Sequence, residues 1–233
     1  DARWRSGLAA DLARLPESEG APGVEGPVHL DKELPFGRLI VGGMGPNRYD
    51  CDRIPLLVDL GGDDTYMGRA AGAQGPARPL ALVLDLAGND LYECGNDGLG
   101  SGLLGAGVLV DAGGNDAYRG KRRCQGFALG GIGLLADLGG ADAFKGEELC
   151  QGAAGLGLGL LLDEAGDDAY EGWLYVQGFG LPGGFGALLD RAGADRYHAD
   201  GHYPSVYGDA GESNAMSQGV AVGFRQIADG GVG

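Results

Sequence analysis

The sequence is poor in lysine, in long apolar runs and in the motifs of catalysis, and each shortage removes a class of function. Lysine occurs only at Lys32, Lys121 and Lys145, and the formal net charge of the 233 residues is −16. Nothing here would neutralise a run of phosphates, so nucleic acid is excluded as a partner, whereas cations are favoured. The longest apolar run, AAGLGLGLLL at 153–162, falls short of the ~18 residues a membrane span requires, and glycine breaks it. Four cysteines stand without CxxC spacing, which leaves zinc and haem unsupported. There is no serine-nucleophile elbow, phosphate loop or zinc signature. No secretory leader is visible and residue 1 is aspartate, as expected of a processed or excised chain.

What is abundant is glycine, at 50 residues. With 44% apolar residues gathered in short blocks, this composition points to a repeat array rather than to disorder. The repeat is found around the nonamer VDAGGNDAY at 110–118. Aspartates recur at Asp59, Asp85, Asp111, Asp137, Asp163 and Asp190, spaced 26, 26, 26, 26 and 27 residues apart. Five positions after each stand Asp64, Asp90, Asp116, Asp142, Asp168 and Asp195, and two further on Tyr66, Tyr92, Tyr118, Phe144, Tyr170 and Tyr197. An apolar triplet such as Val108-Leu109-Val110 precedes each first aspartate, and a glycine such as Gly114 follows it by three. A Gln-Gly pair recurs later in most repeats, at Gln74, Gln125, Gln151, Gln177 and Gln218. A degenerate copy ahead of the array carries Asn47 and Tyr49 in the aspartate and tyrosine slots.

Twenty-six residues are too few for a propeller blade, and glycine in every repeat disfavours helical repeats. The remaining architecture is all-β: a parallel β-solenoid of about six 26-residue coils, stacked at about 4.8 Å. Equal positions then form columns. The triplets become a core ladder, the rings a continuous stack, and Gln125, Gln151 and Gln177 an amide ladder. Phe144 in the ring column implies that the hydroxyl is dispensable there. Cys124 and Cys150 become neighbours, as buried side chains or as a disulfide pair.

Six-deep columns of carboxylates would repel by roughly 3 kcal/mol per adjacent pair at an effective dielectric of ~20. Two kinds of relief suit the turn. Aspartate can cap its own turn through backbone N–H groups, with glycine supplying positive φ. Alternatively, a hard cation can collect carboxylate and carbonyl oxygens. The string Gly-x-Asp-x-aromatic, as in GNDAY at 114–118 and GDDAY at 166–170, resembles the second half of the nonapeptide of repeats-in-toxin (RTX) β-rolls, a bacterial β-solenoid family. That resemblance spans roughly 54–197. It implies calcium between turns at Asp64, Asp90, Asp116, Asp142, Asp168 and Asp195, with the aromatic residue pointing inward. In this chain the turn comes once per 26 residues rather than every nine, and aspartate replaces the first glycine of the nonapeptide.

Residues 1–18 place Trp4, Leu8, Leu12 and Leu15 on one helical face, stopped by Pro16, and predict a short N-terminal capping helix. Residues 19–53 read as a linker (19–37) and a degenerate first coil, and 54–233 as the solenoid. An insertion at 198–214 delays Gln218 and carries His198, His202, Tyr203, Asp200, Tyr207, Asp209 and Glu212. The expected role is a structural, adhesive or assembly module that is extracellular, on the cell surface or periplasmic. All twelve column aspartates are its candidate metal ligands, and calcium the candidate ion. The final Gly231-Val232-Gly233 falls just before another acidic turn, so a partner chain or self-association is expected at the C-terminal end. The competing expectation is a carbohydrate-active lyase or hydrolase, acting on an acidic or neutral polysaccharide, with His198, His202 or Tyr203 as acid or base.

Overall fold

The computed structural model describes residues 2–199, 201–204 and 213–222. Its repeats stack as a parallel β-solenoid. The first face is built by Leu56–Val58, Leu80–Asp85, Ala106–Asp111, Ile132–Asp137, Leu158–Asp163 and Phe185–Asp190, one strand per coil. The second face follows each acidic turn, for example Leu91–Glu93, Ala117–Arg122, Ala143–Glu148 and Ala169–Leu174. A narrow third face uses two-residue strands such as Gly102–Leu103 and Ala128–Leu129. Pairing is strictly in phase, with Asp85, Asp111, Asp137, Asp163 and Asp190 side by side.

Alternation along a strand decides which side chains enter the core. In Ala106–Asp111, Gly107, Leu109 and Asp111 are buried while Ala106, Val108 and Val110 are only half-buried. Only the middle residue of each triplet therefore builds the central ladder, as Leu57, Val83, Leu109, Leu135 and Leu161. Each such side chain, fully buried, contributes about 1.5–3 kcal/mol. Facing them, Tyr49, Tyr66, Tyr92, Tyr118, Phe144, Tyr170 and Tyr197 stack with successive centroids 4.4–5.1 Å apart. In the degenerate copy Asn47 and Tyr49 are buried, and Tyr49 pairs in register with Tyr66.

The N-terminal segment differs from the expectation in two ways. Helix α1 (Ala2–Leu12) stops four residues before Pro16 and lies along the flank, not across the end. Leu8 and Leu12 pack on Val41, Leu60 and Leu86, residues of successive coils, and Arg5 donates to the Ala112 carbonyl. Residues 19–37 are mostly strand rather than linker. Strand β1 (Ser18–Ala21) pairs with β2 (Val24–Leu34), and β2 pairs antiparallel with β3 (Gly37–Gly42) and with Arg48–Asp50. Strand β2 thus bridges both faces and closes the end of the stack, satisfying an edge that would otherwise be bare. Among the described residues no helix is long and apolar enough to cross a membrane.

The glutamines form no amide ladder. Gln125 Nε2 donates to the carbonyls of Tyr118 in its own coil and Lys145 in the next, and Gln151 repeats this with Phe144 and Glu171. Gln74 is out of phase with them and lies beside Leu103. All four cysteines are free and buried. Cys124 and Cys150 fill the space beside Gly120 and Gly146, as Val176 does beside Gly172. One coil earlier the pair is reversed. Cys94 supplies the side chain and Gly98 the gap, leaving Cys94 Sγ 3.6 Å from Cys124 Sγ.

His198 belongs to the regular strand Arg196–Ala199, so the insertion begins after it. Gln218-Gly219 returns to phase, with Gly219 N donating to the Gln177 carbonyl. Asp200, Tyr207, Asp209, Glu212 and the end at 223–233 lie outside the described residues.

Candidate metal centre

The two aspartate columns are buried against each other at the turn between the first and second faces. Asp59, Asp85, Asp111, Asp137 and Asp163 have no solvent exposure, and Asp64, Asp90, Asp116, Asp142 and Asp168 are 2–3% exposed. Asp190 and Asp195, in the last coil, are half-exposed.

A first-column carboxylate is satisfied on both oxygens. Asp111 Oδ1 accepts from Gly113 N at 2.9 Å, the Asx turn read from the sequence. Its Oδ2 accepts from the Tyr92 hydroxyl of the preceding coil at 2.7 Å. Tyr118 serves Asp137 in the same way at 2.6 Å, and Tyr49 and Tyr66 serve Asp59 and Asp85. The ring column is thus also a hydroxyl column, which its aromatic character alone did not reveal. Phe144 is the exception, and Asp163 takes the Tyr170 hydroxyl of its own coil instead, at 3.1 Å. Phe144→Tyr is expected to restore the ladder and raise stability by about 1 kcal/mol. A higher urea midpoint at unchanged slope would register this, whereas an unchanged midpoint would show the hydroxyl to be superfluous.

A second-column carboxylate is satisfied on one oxygen only. Asp116 Oδ1 accepts from Asp90 N, and Asp142 Oδ1 from Asp116 N, each at 2.6 Å and each across the gap between coils. The same link joins Asp64 to Asp90 and Asp142 to Asp168. The second oxygen has no partner in Asp64, Asp90, Asp116, Asp142 or Asp168. Outside this column the middle residue of Gly-x-Asp builds a third, solvent-facing ladder, with Asp63, Asn89 and Asn115 each accepting an amide from the next coil. The sequence signal for it was the recurring Asn or Asp at that position.

Carboxylate oxygens converge in threes. Asp59, Asp64 and Asp85 each bring one within 4.8 Å of the others, as do Asp85, Asp90 and Asp111, and Asp111, Asp116 and Asp137. Beyond Phe144 the grouping shifts to Asp142, Asp163 and Asp168, then Asp168, Asp190 and Asp195. Burial, with the charges of neighbouring aspartates adding to it, pushes Asp85 up to about 8 and Asp116 to about 9. Burial likewise raises Asp142 and Asp163 to about 7. Such carboxyls must hold protons or share a cation near neutral pH.

The donor set fits a hard divalent cation. Every donor is oxygen, with no imidazole or thiolate in the groups, which favours calcium, magnesium or manganese over zinc. Two aspartates per coil also match the charge of one divalent ion per coil.

Of the alternative site residues, His202 and Tyr203 pack edge to face with ring centroids 5.8 Å apart. His198 faces outward on the second face, His202 stacks on Trp173 with centroids 4.5 Å apart, and the Tyr203 hydroxyl accepts from Arg122 at 3.3 Å. No family model, curated protein or solved structure matches the chain.

Proposed function

We propose that the protein is a calcium-stabilised structural β-solenoid, a rigid module for surface attachment or assembly outside the cytoplasm. The observation that carries this reading is the row of buried second-column oxygens without a partner, each beside two further carboxylates. An unpartnered buried carboxylate oxygen is costly, and a divalent ion relieves several at once. Asp111, Asp116 and Asp137 would hold one such ion, and the equivalent triads the others. The ion would supply no chemistry beyond charge neutralisation and cross-linking of coils. Coupling of folding to calcium suits a compartment where that ion is plentiful. The RTX-like turn supports the same ion.

Elemental analysis of the purified protein is expected to find several calcium ions per chain, and exhaustive chelation to lower the melting temperature. At a hundredfold excess of ion over its dissociation constant, each site contributes about 2.7 kcal/mol. Asp116→Ala is expected to reduce the bound count, while Asp195→Ala, in the half-exposed last coil, reduces it less. A metal-free protein with a melting curve indifferent to chelator would leave a protonated, hydrogen-bonded turn ladder in its place.

A further inference from the structure

The outward side of the second face carries two columns of side chains. Glu93, Arg119, Lys145, Glu171 and His198 stand in register in one. Lys121, Glu147 and Trp173, two residues further along their strands, form the other. Between them runs an open furrow of about 320 Å³, inside the ~300–1,000 Å³ range of ligand sites. Its floor is backbone at Gly120, Gly146 and Gly172.

The furrow is balanced in formal charge where the chain is strongly acidic, with Arg119, Lys121 and Lys145 set against Glu93, Glu147 and Glu171. It gathers two of the three lysines and an arginine in a protein of net charge −16. Neither Arg119 nor Lys121 makes an ion pair among the described residues. Lys145 meets Glu171 at 2.8 Å, but both side chains are more than half exposed, and such a pair opens readily. Arg119 and Lys145 are one coil apart, so an anion placed between them gains from both. Trp173 gives the wall an aromatic surface. The His202 ring, which does not line the furrow, stacks on that indole, and Tyr203 meets Arg122, so the start of the insertion is folded against the same wall.

The acids in the furrow decide the class of ligand. Glu93, Glu147 and Glu171 also line it, and a bare inorganic anion would meet them as like charges. A ligand with carboxylates and hydroxyls satisfies both, giving the cations a partner and the glutamates hydrogen-bond donors. The indole covers the C–H face of a sugar ring. We propose that this furrow binds an acidic oligosaccharide, with Arg119, Lys121 and Lys145 on its carboxylates and Trp173 against a ring.

The test uses the full chain carrying Trp4→Phe, so that Trp173 is the sole tryptophan. Its fluorescence is followed while a galacturonic acid trimer, a glucose trimer or inorganic phosphate is added, in metal-free buffer and again with calcium. The expected result is saturable binding of the uronate trimer without metal, weakened by salt. Arg119→Gln and Lys145→Gln should each weaken it about tenfold or more at unchanged melting temperature, as loss of a charged hydrogen bond implies. Equal affinity for the glucose trimer would overturn the role of charge, and equal affinity for phosphate would reduce the furrow to a simple anion site. Binding that needs calcium and survives Arg119→Gln would move the ligand to the aspartate columns. No saturation at millimolar trimer would dismiss the site.

Discussion

Freed of divalent cations, the protein is expected to lose its fold between pH 5 and pH 9, and calcium is expected to restore it at the alkaline end. The buried aspartates of the columns are raised in the folded state, by burial first and by each other second, to about 7 for Asp142 and Asp163, 8 for Asp85 and Asp137, 9 for Asp116 and 10 for Asp90. In the unfolded chain the same groups titrate near 3.9. The folded state therefore binds more protons between these limits, and its stability falls as pH rises. Below about pH 4 the contribution is complete. Each pH unit above that removes up to ~1.4 kcal/mol for every carboxyl still protonated in the fold. Several such groups acting together exhaust the ~5–15 kcal/mol that a domain of this size holds. Calcium binds the ionised form and so should add nothing at pH 4.5 and most at pH 8–9. Thermal melts by circular dichroism at pH 5, 7 and 9, in metal-free buffer and in millimolar calcium, would check both signs. A metal-free melting temperature that climbs from pH 5 to pH 9 would show that the carboxylates are ionised without an ion, and the cation reading would fall with it.

The sequence made the coil legible because the period converts position into neighbourhood. Once Asp111 and Asp137 were in phase, their parallel register, the ring stack and the burial of Leu109 followed from strand geometry. The N-terminal closure was not legible in this way. Strand β2 has no copy elsewhere, Pro27 and its charges break any alternation, and only its double pairing with β3 and Arg48–Asp50 shows what it does. Gln74 misled because the first full coil carries its extra residues at 75–77 and fewer before Ala73, a redistribution that leaves the 26-residue spacing intact. In the site, the sequence identified all the aspartates but not their different duties. Both columns accept one bond from the preceding coil, and only the first also caps its own turn, through Gly113 N, a difference set by where each carboxylate stands in the turn. The furrow was not legible because Arg119, Lys145 and Trp173 come from three different repeats and share no motif.

Replacing Gly114 by alanine is expected to destabilise the protein by more than about 4 kcal/mol, a loss well beyond that of an ordinary surface change. The reason is space. A methyl group on Gly114 would lie 1.5 Å from the Gly88 carbonyl oxygen and 2.7 Å from its carbon. Those atoms are backbone of the preceding coil, and strand pairing holds the coils ~4.8 Å apart on both faces. Neither coil can retreat alone, since Gly140 meets the Gly114 carbonyl at the same 1.5 Å one step further on. Separating the turns enough to admit the methyl would open the bond from Asp90 N to Asp116 Oδ1, now 2.6 Å, and with it the grouping of Asp111, Asp116 and Asp137. Gly95→Ala supplies the control, because Gly95 is exposed and nothing lies within 4 Å of the added carbon. That change should stay within about 0.5 kcal/mol. Urea midpoints for the two variants, with the calcium content of each, would measure both the packing and its coupling to the ion. A Gly114→Ala protein as stable as Gly95→Ala would mean that the turns stand further apart than the aspartate columns require, and the shared carboxylate groups would lose their geometric basis.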